Sequence, residues 1–146
     1  MKTFVIPAAA AAAMALVLSV PAAGHEAQGG SKLMAALTGA AETAAGDPDG
    51  AGTFSGTVNP GQMQVCYDLM VVNVATPTAA HIHEAPAGQN GPVVVTLTAP
   101  ATGSSAGCAT VTRELAKELM KSPEDYYVNV HNAAFPGGAV RGQLSK

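Results

Sequence analysis

Three of the chain's four histidines sit where extended strands would aim them at one place. Two form His81-Ile82-His83. In a strand, residues i and i+2 share a face. Both imidazoles therefore leave one side while the apolar Ile82 turns to the core. Imidazoles so placed stand roughly 6–7 Å apart, close enough to bracket a metal ion. The third is His131, at the end of Tyr126-Tyr127-Val128-Asn129-Val130-His131. There Tyr126, Val128 and Val130 make the apolar face, and Tyr127, Asn129 and His131 the opposite one. If the two strands are neighbours, three imidazoles converge on the outer side of the sheet. Neutral imidazole suits copper, zinc, iron and nickel, and copper or zinc is the cofactor to test. A second reading uses the same rings. The turn-rich segments 84–92 and 132–138 leave the strands directly after a histidine. Their backbone groups need partners, and ring nitrogens that anchor loop carbonyls would supply them without a metal. Both readings stand at this point.

Other residues offer less. His25 becomes the mature N-terminus if a signal peptidase cuts after Gly24, and its α-amino group and imidazole would then make a copper chelate; otherwise it is an arm residue. Arg141 follows His131 by one turn and one strand. It returns beside that histidine, where it would attract a small anion, or it is a surface cation pairing with Glu84 or Asp125. Ser104-Ser105 has no hydrolase context, and no G-x-S-x-G, Walker loop or carboxylate pair is present. The two cysteines, Cys66 and Cys108, lie in strand-like runs. In an exported chain an even count points to a disulfide. That bridge would close a loop of about 40 residues and stabilise by about 3–4 kcal/mol.

The elements that must hold these residues are short and β-like. Strands are expected over 33–38, 53–58, 62–74, 78–83, 93–98, 107–112, 126–131 and 139–144. Asn59-Pro60-Gly61 turns the second into the third as a hairpin, with Met63, Val65, Tyr67 and Leu69 on one face. Loops are expected over 44–52, 84–92 and 99–107. Residues 113–121 carry Leu115, Leu119 and Met120 at helical spacing, stopped by Ser122-Pro123. Roughly seven or eight strands with regular turns predict an all-β, antiparallel Greek-key sandwich or barrel with one short helix inserted.

Composition and ends agree with export. Lys2 precedes an apolar run over 4–20, and Pro21-Ala22-Ala23-Gly24 offers cleavage after Ala22 or Gly24. The run is shorter than the roughly 20 residues a spanning helix needs and contains Pro7. The expectation is a cleaved signal over 1–24, a flexible arm over 25–32 and one domain over 33–146, periplasmic or secreted, with no transmembrane segment in the mature chain. Loss of Lys2 takes the formal charge from −3 to −4. No basic cluster exists, so nucleic acid is not an expected partner. A metal ion or another extracytoplasmic ligand is.

Three blocks resemble the CHRD (chordin-type) domain. They are Leu37-Thr38-Gly39-Ala40-Ala41-Glu42 with Gly52-Thr53-Phe54; Ala79-Ala80-His81-Ile82-His83 with Gly88-Gln89-Asn90-Gly91-Pro92-Val93-Val94; and Tyr126 to Asn132 with Pro136 to Leu144. Thr43-Ala44-Ala45 stands where the family often has a Val-Pro-Pro-like stretch. Glu84 stands where Gly often follows H-x-H, and is an additional candidate ligand, an orienting group or simply an exposed residue. The resemblance implies an exported, non-enzymatic binding module. The H-x-H, the later histidine and the final-strand arginine are also similar to copper–zinc superoxide dismutase, though the bridging histidine and zinc-loop ligands have no counterpart. That fold-level analogy implies the alternative of a copper-dependent redox enzyme. A structural envelope protein is the third class.

Overall fold

The computed structural model describes residues 30–146. The expected signal segment, both cleavage points and His25 lie outside the described residues. Eight strands form a single antiparallel sheet: β1 Ser31–Thr38, β2 Ala51–Asn59, β3 Gln64–Val72, β4 Pro77–Glu84, β5 Val93–Leu97, β6 Ser104–Thr110, β7 Tyr126–Asn132 and β8 Val140–Gln143. One helix, α1, spans Arg113–Lys121. Ser31 and Lys32, expected in the arm, already pair with β2 as part of β1.

The order across the sheet is β5-β4-β7-β8-β1-β2-β3-β6. The edge strands β5 and β6 approach each other, so the sheet nearly closes as a barrel. Thr98, just past β5, seals this seam. Its N–H donates to the Tyr67 hydroxyl of β3 at 2.7 Å, and its carbonyl accepts from Ser105 Oγ of β6 at 2.7 Å. The β3–β4 and β6–β7 connections both skip strands, as the Greek-key expectation requires.

Period-two alternation decides which side chains fill the barrel. Leu33, Ala35 and Leu37 of β1, Phe54 and Val58 of β2, Val65, Tyr67 and Leu69 of β3, and Ile82 of β4 are buried in one continuous core. Met63 is the exception to the expected hairpin face. It lies in the turn with φ 53° and is 44% exposed, because the Asn59 side chain accepts from Gln62 N and closes the turn before β3 begins. The helix forms as its pattern predicts. Thr112 Oγ1 caps it by accepting from Leu115 N at 3.1 Å, and Ala116 and Leu119 enter the core.

The sixth strand begins earlier than expected, at Ser104 rather than 107. Its residues, Ser104-Ser105-Ala106-Gly107-Cys108-Ala109-Thr110, are small and little buried, so no apolar alternation marks its start. Pairing with β3 defines it, together with the disulfide. Cys66 and Cys108 are directly opposite in the ladder and are joined, with S–S 2.03 Å.

Candidate metal centre

The strands β4 and β7 are neighbours and antiparallel, with Ala79 opposite His131, His81 opposite Asn129 and His83 opposite Tyr127. Ile82, Val128 and Val130 point inward, so the histidines share the outer face. The small Ala79 leaves room for the ring of His131 to reach toward His81. His81 Nδ1 and His131 Nε2 are 3.2 Å apart. One ring nitrogen from each of His81, His83 and His131 lies within 4.8 Å of the others.

Hydrogen bonds fix which nitrogens are free. His83 Nδ1–H donates to the Gly91 carbonyl at 2.9 Å. His131 Nδ1–H donates to the Pro136 carbonyl at 3.0 Å. A carbonyl only accepts, so in each neutral ring the proton is on Nδ1 and Nε2 keeps its lone pair. His131 Nε2 then accepts a hydrogen bond from His81 Nδ1–H, which a metal ion between the two would have to replace. His83 Nε2 is buried and has no partner. The loop-anchoring and metal-binding readings therefore use different nitrogens of the same rings. Backbone carbonyls that hold one nitrogen while the other is free are the usual support of a histidine metal ligand.

Burial and mutual repulsion favour the neutral forms of His81 and His131. Burial, then the positive charge that His131 and His83 would carry, pushes the His81 pKa below its ordinary value of 6.5. Burial also lowers that of His131. Its bond to the Pro136 carbonyl opposes the shift, and repulsion from His83 adds to it. Bond lengths of about 2.0–2.1 Å at tetrahedral angles put ligand nitrogens about 3.3 Å apart, and never beyond about 4.2 Å. The His81–His131 pair is already at that spacing, and the widest pair, within 4.8 Å, has up to roughly 1.5 Å to close to reach it.

Around the rings lies a buried polar layer. Tyr127 stacks on His83 with centroids 4.7 Å apart and planes at 5°. Arg141 of β8 flanks the same phenol ring, its Cζ 3.3 Å from the centroid. This arginine is only 2% exposed. Its donors go to Asn90 Oδ1 at 3.1 Å and to the carbonyls of Pro86 and Gln89. It is thus neither a surface cation nor an open anion-steering charge. It holds the segment 85–92 down over the outer face. Gly91 helps by lying so close to the Glu84 carbonyl that any Cβ would collide with it. Gln143 adds bonds to the carbonyls of Ala85 and Glu124 at 2.7 and 2.6 Å.

Glu84 is not part of the trio. It shares the parity of Ile82, pairs across the ladder with Tyr126 and is exposed, so it leaves from the other face. Two residues that sequence reasoning did not select do belong to the layer. Asn129 is 3% exposed and donates from Nδ2 to Glu42 Oε1 at 2.6 Å. The Asn129 Oδ1 atom is buried without a partner. Burial pushes Glu42 up to about 7, against the opposing pull of Arg141 and of the Asn129 hydrogen bond. The parity of Asn129 with His131 was the available signal for it. Glu42 had none, since its partner lies 87 residues away.

Residues 33–144 match the CHRD domain model, covering nearly all of the described chain. No curated protein and no solved structure matches.

Proposed function

The chain belongs to the CHRD domain family, and we propose that it is an extracytoplasmic, non-enzymatic binding module that holds one copper or zinc ion through His81, His83 and His131. The observation that carries this reading is the buried, partnerless Nε2 of His83 beside the 3.2 Å His81–His131 pair. A buried acceptor with no donor costs about 1–3 kcal/mol, and a cation bound by all three rings removes that cost. The Cys66–Cys108 disulfide supports residence outside the reducing cytoplasm. Among the described residues no helix is long and apolar enough to cross a membrane.

The test is titration of purified protein with copper(II) and with zinc, followed by metal analysis and thermal melting. One ion per chain is expected. At a free metal concentration one hundred times Kd the fold gains about 2.7 kcal/mol, or roughly 10 °C in Tm. Replacement of any one of the three histidines by Ala should abolish most of that gain. A copper-loaded protein that dismutates superoxide faster than its metal-free form would favour the redox-enzyme alternative. No stoichiometric metal at micromolar concentration would leave the rings as loop anchors only.

A further inference from the structure

Among the described residues only two buried side-chain atoms lack a partner, His83 Nε2 and Asn129 Oδ1. Both belong to the outer face of β4 and β7. Both are lone-pair acceptors, so both want the same thing: a cation, or a donor held by one. Asn129 is the ladder partner of His81 and lies two residues from His131 on the same side of β7. Its Nδ2 is turned to Glu42, which follows the 3-10 turn Gly39–Ala41 packed on β8. The two heads of an amide diverge, so Oδ1 is not used by Glu42, and it stays buried without a donor on the face that Asn129 shares with His131 and with its ladder partner His81. Gly138, at φ 143°, lets the backbone pass against this Glu42–Asn129 contact. A Cβ there would strike Glu42 Oε1 and Asn129 Nδ2, so only glycine fits beside this contact.

Three imidazoles leave a four-coordinate ion one open position, which in zinc and copper proteins is filled by water or a small ligand. We propose that Asn129 is a positioning residue for that position: its Oδ1 accepts a hydrogen bond from a metal-bound water, and the position is exchangeable for a small anion such as azide. The inference rests on the metal reading above. It adds that the centre is open, with one face governed by an amide that Glu42 locks in place. A closed site that only braced the fold would leave this buried amide oxygen without a donor.

The experiment uses the whole exported protein loaded with one equivalent of copper(II). Electron paramagnetic resonance, water-proton relaxation and azide titration are compared for the native chain, Asn129→Leu and Asn129→Asp. The native protein is expected to show one exchangeable water and to bind azide. Asn129→Leu keeps the size and removes the acceptor. It should still take one copper but change the copper spectrum and alter azide affinity about tenfold. Asn129→Asp keeps an oxygen at the site and adds negative charge, so it should weaken azide while retaining copper. If Asn129→Leu does not fold, the Asp variant carries the test alone. Native protein that binds copper but shows no exchangeable water overturns this inference and spares the metal reading. So do variants with unaltered spectra and azide affinity. Native protein that takes up no copper overturns both.

Discussion

The outer face of β4, β7 and β8 and the outer face of β2, β3 and β6 are built on the same continuous ladder, yet one is covered and the other bare. On β7 every residue but His131 is buried, on both sides of the strand. On β6 none is buried. Nearby, Met70 and Val72 of β3 are 55% and 56% exposed. The covered face is largely shielded from solvent, so its buried polar groups must find partners in the protein. Arg141, Gln143, His83 and His131 find them in carbonyls of the covering segments. The bare face needs no such network. It is held by ladder bonds and by one disulfide across β3 and β6. The proposed site lies on the first, where among the described residues two buried lone pairs are left without donors.

The sharpest way to break this contrast is to uncover the covered face. Arg141→Ala removes the charge-assisted bonds to the 85–92 segment and the guanidinium packed on Tyr127. We expect a loss of about 4–5 kcal/mol, read as a lowered urea midpoint. Hydrogen exchange should show the 85–92 amides losing protection first. An unchanged midpoint would mean that the loop holds itself down.

The bare face should yield next. Cys66→Ser together with Cys108→Ser frees a strand that buries almost nothing, and should cost about 3–4 kcal/mol. The loss of amide protection should be confined to β6 and its partner β3. If β7 opened to the same extent, the two faces would not be independent and the contrast would fail.

Much of this was legible in the residues. Alternation around Ile82 and around Val128 and Val130 was enough to put three imidazoles on one face, and Thr112 to Pro123 was enough to bound the helix. What was not legible is the covering. Nothing local to Arg141 says that Pro86, Gln89 and Asn90 will close over it, because those contacts span more than fifty residues. From the sequence the arginine therefore reads as an anion-attracting charge or a surface cation. Glu84 is a different case, since its parity with Ile82 places it on the face away from the histidines, in line with the exposed alternative. The early start of β6 was hidden because serine, alanine and glycine carry no face preference.

A smaller effect compares single side chains on the two faces in the metal-free protein. His83→Ala leaves the Gly91 carbonyl without its donor and Tyr127 without its stacking partner. It should cost about 1–3 kcal/mol. Met70→Thr, on the bare face, should stay within about 0.5 kcal/mol. With saturating copper the gap between the two should widen, because only His83 belongs to the proposed metal trio. Equal costs in the absence of metal would remove the loop-anchoring role of His83.

The smallest effect is the pH dependence of the metal-free fold, where the covered face contains two opposing titrations. Glu42 is raised from 4.5 to about 7, so between those values the folded chain holds a proton that the unfolded chain has released. Its contribution to stability therefore falls as pH rises through this window and levels off above it. His81 and His131 are lowered from 6.5, so as pH falls below 6.5 the unfolded chain takes protons that the folded chain refuses. Their contribution is lost in the opposite direction. Below 6.5 the two compete, and from 6.5 to about 7 Glu42 acts largely alone. Glu42→Gln keeps an oxygen for Asn129 Nδ2 and cannot ionise. Urea midpoints should then stop declining as pH rises toward 8, while the fall on the acid side becomes steeper. Native and Glu42→Gln curves that run parallel from pH 5 to 8 would show that Glu42 is not buried enough to feel the covering, and would take the amide lock on Asn129 with it.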